Sequence, residues 1–283
     1  MKNYHLLILI VGVVLMVGCG ARKESDNYAD KMMTEHRSDK PIANAESEMA
    51  PNQPVTGKTV EYATINGHKV EGYLAVPKNM QGSIPGIIVI HEWWGLNDNI
   101  RAMARRFAGE GYAALAVDLY NGKVADSPDS AFSYMKMSMS HSDANVDNLK
   151  QAYQYLSNDA KATKIGVIGW CFGGGWSLRT ALAMPDKIDA TVIYYGQLVT
   201  NPDQLKTLQM PISAFFGGQD KSIPETTIRK FESTLDSLGK SVQVKIYPDA
   251  NHAFANPSGT RYNPKAAKDA WQKTMTFFNK NLK

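Results

Sequence analysis

A cysteine bracketed by glycines, in Gly169-Trp170-Cys171-Phe172-Gly173-Gly174-Gly175, follows directly on the apolar run Ile165 to Ile168. The spacing fits Gly-x-nucleophile-x-Gly, in which a chain turns sharply from a strand into a helix and presents one side chain on the bend. Glycines on both sides allow the turn and leave the nucleophile in a strained backbone state. The helix that follows aims its N-terminal amides at the sulfur, which favours the reactive anionic form. No Gly-Lys-Ser/Thr follows the glycines, so the loop does not read as a phosphate cradle.

A thiol nucleophile needs a base, and chain order narrows the choice. In sheet enzymes with this elbow the nucleophile comes first, then an acid, then a histidine. Of the six histidines only His252 lies beyond Cys171, in Asp249-Ala250-Asn251-His252-Ala253-Phe254 after the last apolar run. Eight carboxylates lie between the two, so chemistry alone does not choose the acid. Asp220, in Gly217-Gly218-Gln219-Asp220, follows an apolar run ending Phe215-Phe216 and is placed to hold the imidazole in one tautomer. Asp249 precedes the histidine in the same turn and is better suited to bonding local backbone amides.

The elements that must carry these groups are legible as short apolar runs separated by helical patterns. Asn66-Gly67 between Glu61-Tyr62-Ala63-Thr64-Ile65 and Val70 to Val76 is a hairpin signal, so the sheet should open antiparallel. Apolar runs then follow at Gly86 to Ile90, Ala113 to Val117, Ile165 to Ile168, Ala190 to Tyr194, Ile212 to Phe216 and Val242 to Ile246. Helices should start near Asn97, Asp143, Phe172, Thr226 and Pro264. Unbroken apolar strands alternating with helices predict an α/β fold, a mostly parallel central sheet with helices on both faces.

Composition agrees with one catalytic domain and a tail. Apolar residues are 43% and charged residues 20% of the 283, enough to build a core. The net charge of +4 is scattered, with no basic stripe that would indicate a nucleic-acid partner. Lys2 precedes the run Leu6 to Val17, which has the layout of a secretory signal and is short for a membrane span. Leu15-Met16-Val17-Gly18-Cys19 is similar to a bacterial lipobox, so Cys19 is the expected lipidation site of an exported protein held at a periplasmic or outer-membrane surface. The expected division is a signal peptide over 1–18, a flexible tether over 19–57 poor in large aliphatic residues, and a folded α/β domain over 58–283. Lipid on Cys19 leaves Cys171 without a partner, which suits a reactive thiol.

Several stretches in one order resemble the dienelactone hydrolase family over roughly Val60 to Phe278. They are His91-Glu92-Trp93-Trp94-Gly95-Leu96-Asn97, Gly111-Tyr112-Ala113-Ala114, Asp118-Leu119-Tyr120, the cysteine elbow, Gly218-Gln219-Asp220 and Asn251-His252-Ala253-Phe254. The resemblance implies an α/β-hydrolase fold with a Cys-Asp-His triad. It implies that Glu92 takes the thiol proton when substrate arrives, and that the backbone amides of Trp93 and Phe172 form the oxyanion hole. It implies no metal or organic cofactor, and His91-Glu92 is not a zinc motif because Gly95 stands where a second histidine would be needed.

The expected activity is cleavage of a carboxylic ester or lactone, a small-molecule substrate, through a thiol-ester acyl-enzyme. The alternative is a non-catalytic, ligand-binding lipoprotein on the same fold. Members that cleave dienelactone bind its carboxylate with two arginines, one of them four residues after the histidine. Asn256 stands there, and Ser127 to Met137, where the other would fall, contains none. Asparagine does not reproduce a bidentate guanidinium, which points away from dienelactone itself. Lys136 and Arg261 remain as sources of a single positive contact. Trp93, Trp94, Phe172, Trp176 and Phe254 suggest an aromatic pocket lining.

Overall fold

Asn66 and Gly67 adopt the positive φ that their tight turn demands, 51° and 79°. They join β1 (Val55–Ile65) to β2 (His68–Pro77) in an antiparallel pair, with Ile65 opposite His68. The computed structural model describes residues 28–40, 50–79 and 82–283. The expected signal segment 1–18 and lipidation site Cys19 lie outside these described residues.

Six further strands complete one sheet: β3 (Gly86–Ile90), β4 (Ala113–Val117), β5 (Ile165–Trp170), β6 (Ala190–Tyr194), β7 (Ile212–Gly217) and β8 (Val242–Tyr247). Their spatial order is β1-β2-β4-β3-β5-β6-β7-β8. β2 meets β4 antiparallel and every pair from β4 onward is parallel, as the apolar runs predict. Every residue of β3 to β7 is buried, whereas the edge strand β8 alternates half-buried and exposed positions until Tyr247. This is the burial a sheet shows when helices cover both faces of its centre and only its edges meet water.

The helices are α2 (Asp98–Gly109), α3 (Pro128–Ser140), α4 (Ser142–Gln154), α5 (Phe172–Ala183), α6 (Pro202–Leu205), α7 (Glu225–Ser237) and α8 (Pro264–Leu282). α1 spans 28–36. α2 and α8 pack together, the Phe107 ring lying 4.9 Å from Trp271 and 6.1 Å from Phe278. α4 and α5 also touch, and α5 follows β5 without a loop. That approach needs glycine: a Cβ on Gly173 would sit 2.4 Å from the His91 carbonyl oxygen, and one on Gly174 would sit 2.4 Å from that of Tyr194. The start of α5 is thereby wedged between the ends of β3 and β6, which fixes the elbow from both sides.

Two boundaries differ from expectation. β1 begins at Val55, so the folded domain starts before residue 58. Residues 28–40 are not a flexible tether: they hold a helix whose Tyr28, Ala29, Met32 and His36 are all buried. Their few apolar side chains find cover on the domain surface rather than in a core of their own.

Candidate active site

Cys171 ends β5 at φ 56° and ψ −119°, a backbone state rare for any residue but glycine. Such states cost about 1–3 kcal/mol and persist only where their surroundings impose them. Here the Cys171 amide donates to the Tyr194 carbonyl at 3.0 Å and the Gly175 amide donates to the Cys171 carbonyl at 3.2 Å. The thiol is held at the N-terminus of α5, 2% exposed. Among the described residues neither the Trp93 nor the Phe172 amide donates to a backbone carbonyl outside helices and strands. Phe172 is the first residue of α5, so its amide has no acceptor within the helix either.

The turn after β8 brings His252 to the thiol. Its Nδ1–H donates to Asp220 Oδ2 at 2.6 Å, in a pair that is almost wholly buried. The other Asp220 oxygen accepts from the Ser222 and Ile223 amides at 2.8 and 3.1 Å. Burial alone would raise the Asp220 carboxyl, but the His252 charge, its hydrogen bond and these two amides hold it below the usual range. Burial alone would likewise strip His252 of its proton, yet Asp220 and then Cys171 raise it well above 6.5. With Nδ1 on Asp220, the buried Nε2 is the ring nitrogen turned to the Cys171 side chain, in position for proton transfer with the thiol. Asp249 is exposed and offers only its carbonyl, to Asn263 at 3.4 Å.

Glu92 follows β3 and is 3% exposed. Asn256 Nδ2 donates to its Oε2, and Tyr195 Oη lies at 3.4 Å from Oε1. Asn256 cannot turn over, because its own Oδ1 accepts from the Ser258 amide at 2.9 Å, Ser258 Oγ at 2.8 Å and Asn99 Nδ2 at 3.2 Å. Neutral donors leave burial dominant: Glu92 is pushed from 4.5 up to about 7, against the pull of His252, Tyr195 and Asn256. A carboxyl that ionises later in the native than in the unfolded chain lends stability fully present below pH 4.5 and lost as pH rises through about 7. Glu92→Gln is therefore expected to retain roughly 3 kcal/mol more of its acid-side stability than wild type. Urea midpoints on either side of that window test this, and parallel losses in the two proteins would remove the buried acid from the site.

His91 is structural rather than catalytic: Nε2 accepts from the Leu119 amide at 3.1 Å and Nδ1–H donates to the Glu92 carbonyl at 2.6 Å. Of the five aromatics, Trp93 and Trp94 line the cleft at Cys171, while Phe172 and Trp176 line a groove on its outer side. Phe254 is fully buried among Tyr194, Tyr195 and Tyr247 and belongs to the core. Lys136 lies on the outer groove, 4.0 Å from Asp30. Arg261 does line the cleft, where it pairs with Asp39 at 3.2 Å.

Three neighbours of Cys171, His252 and Glu92 escape sequence reasoning. Tyr28 reaches the thiol from α1, His36 packs tilted against His252 with ring centroids 4.6 Å apart, and Tyr195 faces Glu92. For Asn256 a signal existed, its place four residues after the histidine; for Tyr28 and His36, in a polar stretch without strand or elbow, there was none.

Comparison with known proteins bears on the family and the fold. Residues 70–282 match the sequence profile of the Dienelactone hydrolase family. "Protein usf" of Aquifex pyrophilus is 36% identical over 233 residues, covering 80% of this chain and 99% of its own length. A "Putative carboxymethylenebutenolidase" of Aquifex aeolicus is 32% identical over 234 residues, covering 80% of this chain and 100% of its own. The crystal structure of a "Putative Dienelactone Hydrolase" from Klebsiella pneumoniae superposes with a TM-score of 0.73 at 27% identity, covering 80% of this chain and 99% of that one. A profile match over most of the chain, on a sheet of this order, shows that the protein belongs to the dienelactone hydrolase family of α/β-hydrolases.

Proposed function

We propose that this hydrolase cleaves carboxylic esters or lactones with Cys171 as nucleophile. The observation that carries the reading is the imidazole of His252, tied on one side to buried Asp220 at 2.6 Å and turned on the other to a cysteine in a strained elbow. The thiolate adds to the ester carbonyl, and the electron pair of the C=O bond moves onto oxygen. The amides of Trp93 and Phe172 receive that oxyanion, each such donor being worth about 2.7–4 kcal/mol in the transition state. The C–O bond then breaks, the alcohol leaves with the proton of the His252 imidazolium, and a thiol ester remains on Cys171. Water attacks it while the now neutral His252 takes up the water's proton, releasing the acid and the thiolate.

Glu92 stands ready as a second proton carrier near neutrality, which suits removal of the thiol proton on demand. Asn256 in place of a guanidinium argues against a substrate held by its free carboxylate, and hence against dienelactone itself. Turnover of p-nitrophenyl esters and small lactones by the purified protein tests the reading. Hydrolysis of at least one of these classes is expected. Inertness toward all of them, with an ester still bound, would favour a ligand-binding protein on the same fold.

Export and anchoring through lipid on Cys19 belong to the same proposal, supported by the lipobox-like Leu15 to Cys19. Incorporation of labelled palmitate in cells, lost in Cys19→Ala, is the expected result, and equal labelling of both would refute it.

A further inference from the structure

The cleft at Cys171 is closed by the chain's own N-terminal segment. What remains open is about 20 Å³, bounded by Met32, His36 and Asp39 on one side and by Glu92, Trp93 and Cys171 on the other. That is room for about one water molecule and for no ester. The segment lies before residue 70, where the family match begins, so the shared fold does not account for it.

Contacts at two ends keep it in place. At one end Arg261 grips the segment: Nη2 lies 3.2 Å from Asp39 Oδ1, Nη1 lies 2.6 Å from His36 Nδ1, and Nη2 also donates to the Glu35 carbonyl. His36 Nδ1 also meets Asp39 Oδ2 at 2.7 Å, and burial lowers the ring to about 4, so it is neutral at ordinary pH and packs edge-on against Trp93 and tilted against His252. At the other end the Tyr28 ring is buried and its hydroxyl meets the Cys171 side chain, the foremost of the charged neighbours of its phenol. Tyr28 also edges the outer groove with Phe172 and Trp176, so its ring borders both that groove and the thiol.

We propose that residues 28–40 are an intramolecular occupant of the substrate cleft, latched by Arg261, and that Tyr28 fills a subsite beside Cys171 that receives a ring-bearing group of the substrate. Turnover then requires the segment to lift. The cleft discriminates for rings because the occupant it has to exchange is itself a phenol. This deepens the reading of Cys171 as the reactive group, but alkylation of a thiol needs no ester turnover, so the two ideas fail separately.

The test is the rate at which iodoacetamide modifies Cys171 in the full chain, read by mass spectrometry on the peptide that carries it and so free of interference from Cys19. Arg261→Ala and Asp39→Ala break the latch from opposite sides, the second without touching the family domain. Tyr28→Ala empties the subsite. Each is expected to raise the rate roughly tenfold or more, since loss of a few contacts populates the open form in proportion. In Tyr28→Ala, p-cresol at millimolar concentration should restore protection and cyclohexanol should not. Rates equal to wild type in all three variants would overturn the occupant. Equal protection by p-cresol and cyclohexanol, or by neither, would overturn the ring subsite.

Discussion

Cys171→Ala is expected to lower kcat for any ester the wild type cleaves by roughly four to six orders of magnitude. The size follows from where the sulfur sits. Cys171 is the residue the strained turn presents, with φ 56°, and the one that faces the second ring nitrogen of His252. Alanine keeps the turn and the fold but leaves the imidazole with no nucleophile to serve, so only binding and the oxyanion amides remain. KM should change little, because the side chain removed is small and lies at the reacting carbon rather than along the substrate. Steady-state kinetics on the wild type's fastest p-nitrophenyl ester decide this, with circular dichroism to show that the variant folds. A residual rate within tenfold of wild type would mean that another group carries the acyl transfer.

Asp220→Asn is expected to cost about 10⁴ in kcat with the fold intact, through the tautomer it imposes. The Ser222 and Ile223 amides both donate to Asp220 Oδ1, at 2.8 and 3.1 Å. An asparagine must satisfy them with its carbonyl oxygen, which leaves its NH₂ facing His252 Nδ1. That nitrogen then has to accept, the ring proton moves to Nε2, and the nitrogen beside Cys171 is occupied. The imidazolium also loses the carboxylate that raises His252 well above its ordinary range. Measured kcat should fall at every pH between 5 and 9 while the thermal midpoint stays close to wild type. A drop of tenfold or less would show that Asp220 merely packs against the ring.

The parts of the site that sequence revealed are those fixed by local chain geometry. A strand running without a loop into glycines and a helix can only be an elbow, and Cys171 stands at its bend. His252 was reachable because chain order left a single candidate, and Asp220 because β7 ends just before it. The alternation of apolar runs likewise gave the sheet and its antiparallel opening. What stayed hidden depends on contacts between distant segments. Asn256 reaches Glu92 across 164 residues, and nothing local announces that meeting. α3 was missed although Ser127 caps it and Pro128 opens it, since its methionines and serines make only a faint apolar stripe. Residues 28–40 read as a tether for a similar reason: with a few apolar side chains among charges they have no reason to order alone, and they do so on the surface of the active site.

The most direct test of a cysteine acyl-transfer mechanism is to catch the thiol ester. His252→Ala should still be acylated slowly by an activated p-nitrophenyl ester, but it lacks the base that delivers water, so the acyl group should accumulate. Intact-mass spectrometry after quenching is expected to show a mass gain equal to one acyl group, mapped to the peptide carrying Cys171 and removed by hydroxylamine. A protein that hydrolyses the ester in its wild-type form, yet carries no acyl group on Cys171 in this variant or carries it on another residue, would contradict the mechanism.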